Sequence, residues 1–120
     1  MNSKVKKDMH LLVVALLDDS YLDEVILGLE SISGAQVTMV DAVSGTENLS
    51  QSIPMFAEFV GMGGKKFCKL LLACVSEPNP AESLLEGLKE GGIDFIDSGL
   101  GEIYSIPLSE AVVAEDIDVF

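Results

Sequence analysis

Residues 10–17 read HLLVVALL, and residues 67–75 read FCKLLLACV. A strand points successive side chains to opposite faces of its sheet, so a sheet covered on one side alternates apolar with polar. Neither stretch alternates: LLVVALL (11–17) and LLLACV (70–75) run apolar through both faces. The first also follows lysines, in MNSKVKKDMHLLVVALLDD (1–19), and so imitates a signal peptide. Its apolar run, Leu11 to Leu17, is only seven residues long and ends on Asp18-Asp19 without a small-residue cleavage site. It is also too short to span a bilayer. Both stretches read as buried strands, and the chain is expected in the cytoplasm.

The remaining elements fall outward from these two. Ser20 and Asp23 have the spacing of a capping box, with Ser20 accepting from the Asp23 amide and Asp23 reaching back. Leu22, Val25, Ile26, Leu29 and Ile32 follow at helical spacing, and Ser33-Gly34 ends the helix. Residues 36–43 predict a second strand, with Val37, Met39 and Val43 on one face. Residues 45–66 have no clean period and read as a long loop, with a short helix as an option at 53–60. After the 67–75 strand, Asn79 is expected to cap a second helix with Pro80 at its first position and Glu82 completing the box. Ala81, Leu84, Leu85 and Leu88 form its buried stripe, and Gly91-Gly92 stops it. Residues 102–108 predict the last strand. Residues 1–9 form a leader thought flexible, 10–108 the single domain, and 109–120 a tail with four acids and no base.

The order β-α-β-β-α-β is that of the α+β ferredoxin-like plan. Right-handed crossovers put the first strand beside the third at the sheet centre and both helices on one face. The opposite face, apolar on both central strands, then needs a cover, and 120 residues leave no spare element to supply it. Each buried Leu or Val contributes about 1.5–3 kcal/mol, so leaving four or five wet is costly. An obligate oligomer with sheets packed inward is the expectation.

Composition narrows the partners. Hydrophobic residues make up 48%, which excludes a disordered chain despite a net charge of −13. Twenty acidic residues stand against seven lysines and no arginine. Such a surface repels nucleic acid and anionic membrane. Without arginine, phosphoryl transfer lacks its usual anion clamp, and His10, the single histidine, has no evident nucleophile beside it. No enzyme and no cofactor are expected. Cys68 and Cys74 lie six apart on one strand, roughly 20 Å at strand rise, too far for a disulfide or a shared metal. Two thiols used as small apolar residues fit a reducing compartment.

Three segments, LDEVILGLESISGAQVTMVDAVSG (22–45), SIPMFAEFVGMGGKKFCKLLLACV (52–75) and GEIYSIPLSEAV (101–112), together resemble the PII signal-transduction family of nitrogen regulatory proteins. The shared features are the Leu-Asp-Glu-Val helix start, a long exposed loop before the third strand, and a closing G-x-I-x-x-x-P-[VL]-x-x-[AV] strand. The likeness covers about residues 10–112, and rests on the order of its motifs more than on any one. It implies a homotrimer whose sheets line a central barrel. It also implies a sensor that binds small effectors between subunits and presents the loop to a partner, such as a membrane transporter or a metabolic enzyme. The departures are specific. Where typical PII proteins carry a threonine- and glycine-rich phosphate loop and basic residues, this chain has GGIDFIDSGLGEIYSIPL (91–108), with Asp94 and Asp97 and no lysine. The loop tyrosine is missing, since the two tyrosines are Tyr21 and Tyr104. The closer likeness is to the PII-like branch, on the I-P-x-F stretch at 53–56 and Gly63-Gly64.

Within the loop, GMGGKKF (61–67) tempts a phosphate-loop reading. A P-loop needs G-x-x-x-x-G-K-[ST] between a strand and a helix; here the spacing is wrong, and a strand follows. A mobile turn with solvated lysines is one reading. The other is a small anionic metabolite or nucleotide held by Gly45, Gly63, Gly64, Lys65, Lys66 and Lys69, the one basic cluster outside the leader. Ile53, Pro54, Met55, Phe56 and Phe59 place large apolar groups on the same loop, either folded back on the assembly or presented to a partner protein. Asp94, Asp97 and Glu102 lack fixed ligand spacing, and no metal site is expected. The leading expectation is a non-catalytic PII-like regulator. The rivals are a protein-interaction module without a small ligand, and a small cation- or amino-acid-binding regulatory domain assembled differently.

Overall fold

The computed structural model describes residues 5–33, 37–43 and 67–113. These form an α+β fold with the elements β1 (Val5–Lys6), β2 (Met9–Leu16), α1 (Leu22–Ser33), β3 (Thr38–Val43), β4 (Phe67–Val75), α2 (Pro80–Glu90), β5 (Gly101–Leu108) and β6 (Ala111–Val112). Four strands make one sheet in the order β3-β4-β2-β5, with every neighbouring pair antiparallel. The two apolar stretches, β2 and β4, are its central strands.

Alternation decides what each central strand buries. Leu12, Val14 and Leu16 on β2 are fully buried, as are Leu71 and Val75 on β4 with Ala73 close behind. They share one core with Val25 and Leu29 of α1 and Leu84 and Leu88 of α2, so both helices pack on the same side of the sheet. Each such side chain contributes about 1.5–3 kcal/mol. Where the helices meet, a Cβ at Gly28 would lie 2.9 Å from Leu84 Cδ1, so glycine lets α1 and α2 approach closely.

The chain between α2 and β5 closes the end of this core. Gly92 has φ +86°, its amide donates to the Lys89 carbonyl, and the Ile93 amide donates to the Leu88 carbonyl. This is a Schellman stop, and the predicted Gly91-Gly92 terminator works through it. Phe95 and Leu100 then turn inward, each 1% exposed.

Both predicted helix starts differ in detail. Ser20 does not begin α1: a 3-10 turn, Asp19–Tyr21, comes first, capped by Asp18. Asp18 Oδ1 accepts from the Ser20 amide at 3.0 Å and from Ser20 Oγ at 2.6 Å. A carboxylate two residues upstream is a stronger acceptor than a hydroxyl, so Ser20 donates there. Asn79 is the N-cap of α2, yet its side chain makes no capping bond. Ser83 Oγ instead donates to the Glu77 carboxylate.

The leader and tail each add a short strand. β1 pairs with β6, Val5 opposite Val112, in the same register that sets Met9 opposite Leu108. Asp8, at φ 59°, interrupts the ladder, and Lys7 lies 3.9 Å from Glu110 across the gap.

On the side away from the helices, the sheet presents Leu11, Val13, Leu70, Leu72, Val40, Tyr104 and Ile106. Val40 is 42% exposed, Tyr104 50% and Ile106 45%, and no described element packs over them. Among the described residues, no helix is long and apolar enough to cross a membrane.

Candidate functional site

Val43 at the end of β3 pairs with Phe67 at the start of β4, so the 44–66 segment leaves and rejoins the sheet at one point. Of the residues singled out as ligand-binding, Gly45, Gly63, Gly64, Lys65 and Lys66 lie outside the described residues, as do Ile53, Pro54, Met55, Phe56 and Phe59 of the partner loop. The option of a helix at 53–60 lies there too. Lys69 is described, on β4 two residues after Phe67.

Lys69 stands opposite Asp41 on β3 and opposite Leu16 on β2. Its ammonium donates to Asp41 Oδ1. That hydrogen bond first, and the charge of Asp41 second, hold Lys69 above the ordinary lysine range, with Asp19 adding to the effect. Leu16, Leu17, Asp19, Cys68 and Lys69 line a small open cavity of about 140 Å³ beside it. One ammonium therefore faces two carboxylates. An anion reaching Lys69 has to compete with Asp41, and the nearby start of α1 adds Asp18, Asp23 and Glu24. An acidic helix start repels an anion that the backbone amides alone would attract.

Cys68 borders the cavity beside Lys69, whereas Cys74 lies six residues further along β4. Cys68 and Cys74 are free and half-buried, on the side of β4 away from the helices. His10 pairs with Val75 and Pro107, so the pleat turns it to the helix side, opposite to Cys74. Imidazole and thiol are thus separated by the sheet. The Nδ1 of His10 is buried without a hydrogen-bond partner among the described residues.

Of the three carboxylates weighed for a cation, those of Asp94 and Glu102 accept hydrogen bonds within the fold. Asp94 Oδ1 accepts from the Asp97 amide at 3.0 Å, and the Ser98 amide donates to the Asp94 carbonyl at 3.0 Å. Asp94 thus pins the 94–98 turn as an Asx residue. Glu102 Oε1 accepts from Tyr104 at 2.7 Å. No group of three or more His, Cys, Asp or Glu among the described residues could hold a metal ion. A half-open cavity of about 260 Å³ lies between Leu85 and Lys89 of α2 and the Asp94–Asp97 side of the turn. Lys89 is its one cation, too little for a polyphosphate.

Asp41 is the site residue that sequence reasoning passed over. The only available signal was its alternation with Met39 and Val43, which gives a face but not the Lys69 partner 28 residues away. No protein-family model matches the chain, and no curated protein matches it.

Proposed function

We propose that this protein is a non-catalytic regulator of the PII-like kind. In this reading it has a ferredoxin-like fold, assembles as a homotrimer, senses a small anionic metabolite or nucleotide, and contacts a partner protein through the 45–66 loop. The observation that carries the reading is the strand order β3-β4-β2-β5, with both helices on one side and a long segment springing from the Val43–Phe67 end. Such an arrangement sets a loop on a rigid sheet, where a ligand at its foot can alter what the loop presents. Thermal-shift measurement against a panel of nucleotides and organic acids, with light scattering on the same sample, tests it. A stabilising ligand with a trimeric mass supports the reading. A monomeric or dimeric mass, or no shift with any compound, overturns it.

The second reading is a protein-interaction module with no small ligand. The pairing of Lys69 with Asp41 favours it, because it removes one of the three loop-side lysines from an anion's reach. Silence across the metabolite panel, together with capture of a partner that deletion of residues 46–64 abolishes, is its expected outcome.

A further inference from the structure

We propose that the cavity between the end of α2 and the turn after it binds a small apolar α-amino acid as its zwitterion. Leu85 and Lys89 of α2 line it on one side and Asp94, Ile96 and Asp97 of the turn on the other, with the buried Ile93 and Phe95 completing the wall. Its volume is about 260 Å³. That is below the roughly 300–1,000 Å³ of drug-sized pockets, so it suits a single small molecule. The cavity shares no lining residue with the one beside Lys69. The proposal therefore stands whether or not an anion binds near the 45–66 loop.

Charge selects the occupant. The cavity offers one ammonium, on Lys89, and two carboxylates, on Asp94 and Asp97. Among the described residues, neither the Lys89 ammonium nor the Asp97 carboxylate has a hydrogen-bond or ion-pair partner. A plain anion meets the aspartates, and a plain cation meets Lys89. A zwitterion answers both signs: its carboxylate accepts from Lys89, and its ammonium donates to the aspartates. The negative end of the α2 dipole adds to the pull on that ammonium. Ile96, 62% exposed, and Leu85 give an apolar side chain a surface to cover. The wall is also held in place beforehand. The Schellman stop ends α2, and Asp94 Oδ1 accepts from the Asp97 amide, so a ligand does not have to order the turn.

The experiment is an NMR titration of the isotope-labelled full chain with L-leucine, read at the Ile96 methyl groups and the Asp97 amide. Two analogues that keep one charged end each, isopentylamine and isocaproate, are titrated in parallel. The expected result is a saturable shift at both positions with leucine, and binding of each analogue weaker by about fivefold. Lys89→Gln and Asp97→Asn should each weaken leucine binding by about the same factor. The turn survives Asp97→Asn, because its hydrogen bond uses the Asp97 amide. Should either variant unfold, the comparison of analogues on the unaltered chain decides. The absence of a saturable shift with leucine overturns the proposal. So does binding of either analogue as tight as that of leucine, since one charge or apolar contact alone then suffices. Unchanged affinity in both folded variants overturns it as well. Shifts confined to the surroundings of Lys69 overturn it too, and leave the regulatory reading standing.

Discussion

Tyr104 donates its phenolic hydrogen to Glu102 Oε1 across 2.7 Å, two residues along the same edge strand. Both side chains stand on the uncovered side of β5, where Tyr104 lies opposite Val13 and Glu102 opposite Ala15. The acceptor is a carboxylate, so it favours the protonated phenol. Tyr104 is held above the ordinary tyrosine range by this hydrogen bond, then by desolvation and by the charge of Glu102. The neutral form gains the partner on folding. Its contribution is therefore full below the unfolded tyrosine value of about 10 and disappears as pH rises through the raised folded value. In a Tyr21→Phe background, tyrosinate absorbance should titrate at lower pH once Glu102→Gln is introduced. An unchanged midpoint would show that the carboxylate does not govern the phenol.

The Lys69–Asp41 pair makes a second prediction, with the same sign for a different reason. The charged ammonium gains the partner, so Lys69 is raised. Stability from the pair is present below the unfolded lysine value of about 10.4 and is lost as pH rises through the folded one. Asp41→Asn should bring the Lys69 titration down, as followed by side-chain NMR, and should flatten the alkaline loss of stability. The same substitution frees one cation, two residues after Phe67 on β4. If a small anion binds there, its affinity should rise in Asp41→Asn; a fall would mean that Asp41 itself contacts the ligand.

Local signals were legible in the sequence, and distant pairings were not. Phe67–Val75 and Pro80–Glu90 run where the apolar density and the Pro80 and Gly91-Gly92 punctuation put them, because each signal lies within a turn or two of what it controls. The start of α1 differs from the Ser20 capping box because Asp18 and Ser20 are both capping residues, and only geometry chooses between them. The Val5–Val112 pair joins two-residue strands more than a hundred positions apart, with no periodicity to reveal them. Lys69 looked like a free cation for the same reason: its neutralising partner is on another strand. The candidate residues between 45 and 66 rest on local composition and on the family resemblance, and neither carries a position in space.

Glycines give a graded test of the backbone. A Cβ at Gly101 would lie 1.9 Å from the Ala15 carbonyl oxygen, which is backbone and cannot swing aside. Gly101→Ala should cost about 3 kcal/mol by forcing β5 from β2. Gly92→Ala should cost about 1 kcal/mol, since its φ of +86° belongs to the helix stop. Gly87, inside α2 with nothing within 4 Å of its added Cβ, should gain about 0.5–1 kcal/mol on replacement by Ala. Urea denaturation of the three variants checks the order. A Gly101→Ala protein as stable as the wild type would contradict the β2–β5 register.

Phe95 and Ile96 are neighbours with opposite exposure, at 1% and 62%. The stretch IDFIDSGL offers no periodicity to choose between them, but the structure does: the Schellman stop at Gly92 and the turn pinned by Asp94 aim Phe95 into the core beneath α2. Phe95→Ala should cost about 3–5 kcal/mol, the transfer of a buried ring plus the cavity it leaves. Ile96→Ala should stay within about 0.5 kcal/mol, because its side chain is already wet. Thermal and urea denaturation of both variants decide the matter. Equal effects, or a larger one at Ile96, would mean that the turn enters the core with the other residue inward and that Ile96 is covered in the protein as it exists in solution.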